Sequence, residues 1–283
     1  MVTIKDIARI SGYGIGTVSR VINKQPSVSD TARRRIEEVI EELQFERNTS
    51  AQFLKQQKES DIAVIITGNG NPLFSDILEQ IQSKLEEEGE DASVVFVDEL
   101  SDPVSEAVRI CTARKPKGLI FLGGMRDHFR NSFGKINVPA VLLTNTAESL
   151  HFANLSSFTT DDYTASREAV RYLIENGHRH IGVVGGFLEE ESLVRRRLKG
   201  VEDEMHAHNL DFSEKDNYLE CRFSVSAGYD STKQLLAGNP GMTAVYALSD
   251  SIAIGMIRAL HDMHRRVPDD ISVIGFDGIE IGR

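Results

Sequence analysis

The chain has 283 residues, 40% hydrophobic and 27% charged, the composition of an ordinary globular protein long enough for two or three domains. No apolar run approaches the ~18 residues of a membrane span, Lys5-Asp6 at the start argues against a secretory signal, and Cys111 and Cys221 fall in a predicted helix and strand where buried free thiols are the default, so the expected compartment is the cytoplasm. The net charge of −11 is divided unevenly: residues 1–35 hold seven Lys/Arg against two acids, a balance of +5, whereas residues 61–283 hold 22 basic and 35 acidic residues, a balance of −13, so one end can meet phosphate that the remainder repels.

In chain order, the first predicted element is a short helix with Ile4, Ile7 and Ala8 on one face. Thr3 stands before it as an N-cap, Asp6 completes a capping box, and Gly12 stops it. A second helix begins near Ile15, with Val18, Val21 and Ile22 on its buried side. Its opposite side shows Gly16, Thr17, Ser19, Arg20 and Asn23, small or hydrogen-bonding groups around one cation that suit base edges and phosphates. Two short helices joined by a glycine turn, the second polar on one face, form a helix-turn-helix whose second helix enters the major groove. Gly12-Tyr13-Gly14-Ile15-Gly16 imitates a dinucleotide-binding glycine loop, but that loop must follow a buried strand, and here it follows an amphipathic helix. Ser29 caps a third helix in which Ala32, Ile36, Val39, Ile40 and Leu43 recur at helical spacing, with Arg33, Arg34 and Arg35 in its first turns. This three-helix unit ends near Phe45.

The series IKDIA, TVSRVIN and VSDTARRRI, followed by an asparagine, an alanine and a leucine at the right spacing, resembles the N-terminus of the lactose-repressor family of bacterial transcription regulators. The resemblance implies that Ile15 and Gly16 sit where family members read operator bases, with Thr17, Ser19 and Arg20 on the DNA beside them. It also implies that Asn48 to Gln57 is a hinge helix that orders on DNA and pushes Leu54 into the minor groove, where such wedges unstack a base step. The DNA-contact set is then Thr3, Ile15, Gly16, Thr17, Ser19, Arg20 and Asn23 in the headpiece, and Asn48, Ala51, Leu54 and Lys55 in the hinge. The chain departs from the pattern at Gly14, where the family usually has a capping serine, at Gly16, which presents no side chain to the bases, and at Arg47, where a proline is usual.

From Asp61 the pattern changes to short apolar runs alternating with amphipathic helices. Predicted strands cover 62–67, 94–97, 118–122 and 140–144, with clear helices over 74–88 and 104–113. After about residue 155 the alternation restarts, with strands over 180–184, 217–221, 244–248 and 271–276 and helices over 162–175, 192–205, 226–236 and 251–264. Regular alternation predicts parallel sheets covered by helices on both faces. The expected fold is α/β: a small all-α helix-turn-helix headpiece plus two doubly wound parallel-sheet subdomains with a cleft between them. The boundaries expected are 1–46 for the headpiece, 47–60 for the hinge, and 61–157 and 158–283 for the subdomains.

Ligands of such sheets bind at the carboxyl ends of strands. The runs HRHIGVVGG, RRRLKGVEDEM, TAVYALSDSIAIGMIRAL and VPDDISVIGFDG resemble the effector domain of the same family and its periplasmic sugar-binding relatives. Strand ends together with that resemblance give Phe74, Asn145, Asp161, Arg197, Phe223, Asp250 and Asp277 as effector contacts. Carboxylates and a guanidinium can hold adjacent hydroxyls while an aromatic ring covers the C–H face of a sugar. A carboxylate after a strand also suits capping of the next helix, and Asp250 fits that role well.

Catalytic patterns are lacking: there is no G-x-S-x-G elbow, no P-loop and no Cys-x-x-Cys. The pairs His178/His180, His206/His208 and His261/His264 come without a recognisable set of further ligands. No cofactor and no metal are expected. The family continues well beyond the GFDG segment, so the chain reads as truncated after Arg283. The expected function is a repressor, working as a homodimer on operator DNA, without enzymatic activity, and controlled by a sugar or sugar derivative. A purine-type corepressor is the alternative effector, and a solute-binding protein without a DNA role is the rival of a different class.

Overall fold

The computed structural model describes residues 4–22, 28–43, 61–68, 71–189 and 192–282. The chain divides into two compact units, Met1–Lys58 and Glu59–Arg283. Thr3, Asn23, Asn48, Ala51, Leu54 and Lys55, and with them the expected hinge, lie outside the described residues.

In the first unit, α1 (Ile4–Ser11), α2 (Ile15–Ile22) and α3 (Asp30–Glu42) enclose a small core. Ile7 from α1, Val18 from α2, and Ile36 and Val39 from α3 are fully buried, which is the apolar spacing of the sequence turned inward. Gly12 ends α1 with φ 77°, a left-handed position that glycine adopts without a Cβ penalty. The Gly14 carbonyl opens α2 by accepting the Thr17 and Val18 amides, and the Ser29 hydroxyl accepts the Ala32 amide at 3.4 Å to cap α3.

The second unit holds two parallel sheets. The first has strand order β2-β1-β3-β4-β5, with β1 (Ile62–Thr67), β2 (Ala92–Val97), β3 (Gly118–Leu122), β4 (Ala140–Leu143) and β5 (Leu155–Phe158). Helices α4 (Pro72–Glu87), α5 (Pro103–Arg114) and α6 (Arg126–Ser132) belong to its crossovers. The second sheet has order β7-β6-β8-β9, with β6 (Ile181–Gly185), β7 (Tyr218–Glu220), β8 (Ala244–Ala247) and β9 (Ser272–Ile274). Its helices are α7 (Asp162–Glu175), α8 (Leu193–Ala207), α9 (Glu214–Asn217), α10 (Val225–Gly238) and α11 (Asp250–Asp262).

The central strands β1, β6 and β8 are buried along nearly their whole length, as parallel strands covered on both faces must be. Three elements escaped the sequence reading, the four-residue α9 among them. β5 reads Leu-Ser-Ser-Phe and is an edge strand with no fully buried residue, so it carries no apolar run. α6 is only seven residues long, and its Phe129 joins Phe121 (ring centroids 5.0 Å) and Phe133 in an aromatic cluster under the first sheet.

On one face of the second sheet, α7 and α8 are joined around Glu204. This buried carboxylate accepts from Arg167 Nε at 2.8 Å and Arg171 Nε at 2.7 Å. On the other face α10 and α11 pack backbone to backbone. A Cβ added to Gly228 would stand 2.4 Å from the Ile252 carbonyl oxygen, and one added to Gly255 2.1 Å from that of Val225.

Candidate functional site

On α2, Gly16 and Arg20 are exposed and Thr17 is half-buried. A Cβ added to Gly16 would lie 4.0 Å from Arg20 Nη2, so the guanidinium rests one turn back along the helix, beside the bare backbone of Gly16. Ile15 and Ser19 belong to α2, but their side chains lie outside the described residues. The outcome is a short helix with a buried Val18/Val21 side and an exposed cation on the other.

In the second unit a cavity of about 330 Å³ opens where the two sheets present their carboxyl-terminal strand ends. The neighbours β1 and β3 in the first sheet, and β6 and β8 in the second, are the pairs between which each strand order reverses. That switch point is where crossovers diverge and leave a crevice. The segments following these strands supply much of the wall: Thr67 and Gly68 after β1, Gly123 and Gly124 after β3, Phe187 after β6, and Leu248 and Ser249 after β8.

Five of the seven expected effector residues line this cavity: Phe74, Asn145, Arg197, Phe223 and Asp277. Phe74 stands in the first turn of α4, where Asn71 caps the helix and Pro72 starts it. Its ring packs over Gly123, at which a Cβ would come within 3.1 Å of Phe74 Cζ. Phe223 is tucked against Gly186 in the same way, with a hypothetical Cβ at 2.5 Å from Phe223 Cε2. Asn145 is buried and braces its own loop, donating to the Gly124 carbonyl at 3.1 Å and accepting from the Thr146 amide at 2.9 Å.

Arg197 is held on three sides. Its Nε donates to Asp162 Oδ1 at 2.9 Å, Nη1 donates to the Leu248 carbonyl, and the guanidinium carbon lies 3.5 Å from the Phe276 ring centroid. Asp277 is half-buried, with φ 94°. Its carboxyl is pushed up to about 6, chiefly by burial and with a further push from Asp250 and Asp162, against the pull of the Arg197 guanidinium and the Asp250 amide.

Two expectations need correcting. Asp161 does not line the cavity. It is exposed at the N-cap of α7 and accepts from the Thr164 amide at 3.1 Å and hydroxyl at 2.7 Å, which lowers its carboxyl. The inward residue is its neighbour Asp162, 3% exposed, because successive positions of a helix point about 100° apart. Asp250 is also absent from the lining. Its carboxylate accepts from the Ile279 amide at 2.9 Å and lies against Gly275, so it ties down the segment after β9.

The structure adds Asp98, Glu99, Glu189 and Arg222 to the wall. Arg222 donates to both oxygens of Asp98, at 2.9 and 3.3 Å, and the Phe223 amide donates to Glu99 Oε1 at 3.3 Å. These bonds join the loop after β2 to the loop after β7 in the cavity wall. The Arg222 bond holds the Asp98 carboxyl below its usual range, whereas burial raises those of Glu99 and Glu189. Asp98-Glu99 follow an apolar strand directly, so the strand-end rule applied to β2 would have found them.

Acceptors, an oriented guanidinium and aromatic rings around a cavity of this kind suit a hydroxyl-rich small molecule. Among the described residues no three or more His, Cys, Asp or Glu side chains stand together as a metal site. His178 is occupied with the Thr243 and Ser272 hydroxyls, each at 3.0 Å. No helix among the described residues is long and apolar enough to cross a membrane.

Residues 3–48 match the model of the lacI family of bacterial regulatory proteins, and residues 170–283 match that of the periplasmic binding protein-like domain. Over 280 residues the chain is 33% identical to the HTH-type transcriptional regulator MalR of Clostridium butyricum, spanning 98% of this chain and 83% of that one. It is 30% identical over 287 residues to the probable HTH-type transcriptional repressor ExuR of Bacillus subtilis (strain 168), spanning 99% and 82%. Among solved structures it is similar to the Lac repressor dimer bound to operator and the anti-inducer ONPF, with TM-score 0.66 and 27% identity over 99% of this chain and 83% of that chain.

Proposed function

The chain belongs to the lacI family of bacterial regulatory proteins, and on that premise we propose that it is a cytoplasmic repressor whose hold on an operator is set by a sugar bound, without turnover, in the cleft of its second unit. Residues 1–46 read the operator, residues 47–60 form the hinge, and residues 61–157 and 158–283 form the two lobes of the sensor. It works as a homodimer on a near-palindromic site, since a single α2 reaches too few base pairs to specify one operator; the similarity to a Lac repressor dimer on its operator supports this reading. The observation that carries the sensor is the convergence of Phe74, Arg197, Phe223 and Asp277 on one cavity at the switch points of both sheets.

Ligand in the cavity touches groups from both sheets, so it favours one angle between the lobes over another. That preference reaches the DNA by shifting the spacing of the paired hinges, as a coupling free energy between two sites. The test starts with selecting an operator from random duplexes and screening sugars by thermal shift. Operator affinity is then measured with and without each stabilising sugar. The expected result is a loss of operator affinity of fivefold or more with at least one sugar. A sugar that stabilises the protein and leaves operator affinity unchanged would refute control by that ligand, and a ligand that tightens operator binding would identify a corepressor.

A further inference from the structure

We infer that the cleft selects uncharged saccharides against their phosphorylated or carboxylated counterparts, and that Glu99, Glu189 and Asp277 enforce the selection. This rests on the reading of the cavity as the effector site and adds the charge class of the ligand.

The first observation is the balance of charge around the cavity. Its wall holds the carboxylates Asp98, Glu99, Glu189 and Asp277 and, as cations, Arg197 and Arg222 alone among the described residues. Both cations are already engaged. Arg222 grips Asp98 through two bonds, and Arg197 donates to Asp162 behind the wall at 2.9 Å. Counting Asp162, five carboxylates meet two guanidinium groups. Asn69, Gly70, Glu190 and Glu191, which adjoin the lining in sequence, bring no cation.

A phosphate or uronate ligand would thus enter a partly dry site facing Glu99, Glu189 and Asp277, where the Arg197 and Arg222 charges are already balanced by Asp162 and Asp98 and only leftover N–H groups such as Arg197 Nη2 could receive it. Like charges at such distances repel strongly once water is excluded. Recognition of an anionic ligand ordinarily relies on a free arginine fork or a helix N-terminus. The helix starts that reach the wall carry caps of their own: Asn71 accepts from the Leu73 amide, Ser192 from Arg195, Ser224 from Ala227 and Ser249 from Ile252, and the Asp250 amide of α11 already donates to Asp277. Burial raises the carboxyls of Glu99, Glu189 and Asp277, against the pull of Arg222 on the first and of Arg197 on the last.

The second observation points to hydroxyls. The wall offers acceptors in Glu99, Glu189 and Asp277, and the hydroxyls of a sugar are donors that such acceptors receive. The rings of Phe74 and Phe223 cover the C–H faces that remain.

The test has two arms. In the first, Met125, a wall residue, is replaced by cysteine, and the reactions of Met125→Cys with a trimethylammonium-ethyl and a sulfonatoethyl methanethiosulfonate are timed. Both rates are taken over those of the unsubstituted chain and normalised to a free thiol. The expected ratio is at least tenfold in favour of the cation, falling towards one when Glu99→Gln and Glu189→Gln are added. A ratio of one or less in Met125→Cys would overturn the inference.

The second arm titrates glucose, galactose, mannose, maltose and cellobiose, together with the 6-phosphates and uronic acids of the hexoses. Each saccharide that binds should be uncharged, with its charged counterpart at least tenfold weaker. A phosphate or uronate that binds as tightly as its neutral parent would overturn the inference. Silence from all saccharides with the reagent ratio intact would instead remove the sugar reading and leave the selection by charge standing.

Discussion

At the scale of single residues, the ionised carboxylate of Asp277 is a cost to the fold. Its carboxyl is raised from 3.8 to about 6 by burial, so the folded chain holds that proton more tightly than the unfolded chain does. The stability this brings is fully present below about pH 4 and is lost as pH rises through 6. The substitution Asp277→Asn keeps a side chain that tolerates the positive φ and removes the buried charge. It should raise the melting temperature of the free protein at pH 7, by roughly 1–3 kcal/mol of stability, while abolishing stabilisation by a bound sugar. A melting temperature at pH 7 no higher than that of the unsubstituted chain would count against the burial argument.

Glu204 has the opposite sign. Its carboxyl is lowered to about 2, first by the Arg171 bond and then by Arg167, with burial opposing. Its contribution is present above about pH 4.5 and is lost as pH falls through 2. Glu204→Gln should therefore lower stability at pH 7 by roughly 1.5–3 kcal/mol, the range for hydrogen bonds to charged groups, and flatten the acid limb of a denaturation curve followed by circular dichroism. On α2, Arg20→Ala should weaken binding to all duplexes and reduce the salt slope by about one. Anisotropy titrations at several salt concentrations measure this, and an unchanged slope would take Arg20 out of the phosphate contacts.

At the scale of elements, the helices over the second sheet are fixed by different means on its two faces. α7 and α8 are tied by the charges around Glu204 and by Tyr163 Oη donating to Asp203 at 3.0 Å, a polar seam that water can enter. α10 and α11 meet where Gly228 and Gly255 let the backbones touch. A methyl group at Gly255 would overlap the Val225 carbonyl oxygen, which is backbone and cannot swing aside as a side chain does. Gly255→Ala is therefore expected to destabilise the second unit by roughly 1–3 kcal/mol, the range for overpacking, despite the higher helix propensity of alanine. Urea titration reads the difference, and a stabilised variant would show that the two helices can separate freely. Because α11 begins beside Asp277 and α10 begins just beyond Phe223, loosening this pair should also weaken sugar binding.

At the scale of the whole molecule, the uneven charge and the family's mechanism meet. A chain of net charge −11 approaches DNA through residues 1–35, with their balance of +5, so association should slow steeply with salt. If sugar binding changes operator affinity by some factor, the operator must change sugar affinity by that same factor. Calorimetric titration of the sugar into free protein and into the protein–operator complex should give affinities in that ratio. Unequal factors would mean that more than one ligand site or oligomeric state takes part.

Much of this architecture was legible in the sequence because periodicity is local. The Val18/Val21 spacing of α2, the Ile36/Val39 spacing of α3 and the apolar runs of β1, β6 and β8 each report burial within a few residues. The rule that ligands gather at strand ends pointed to Phe74, Asn145, Phe223 and Asp277, and the family resemblance to Arg197, all of which line the cavity. What local pattern could not supply was direction and pairing. Whether Asp161 or Asp162 turns inward depends on where α7 starts, and Asp250 is claimed by an amide 29 residues further on. The β5 edge had no apolar run to betray it, and the clasp of Arg222 on Asp98 joins positions 124 residues apart. Local pattern carried the family, the alternation of strands and helices, and the strand ends from which a site could be built. The tertiary structure alone decided which carboxylates reach the cavity and that both of its cations are already spent on other partners, since burial and charge pairing are properties of neighbours in space.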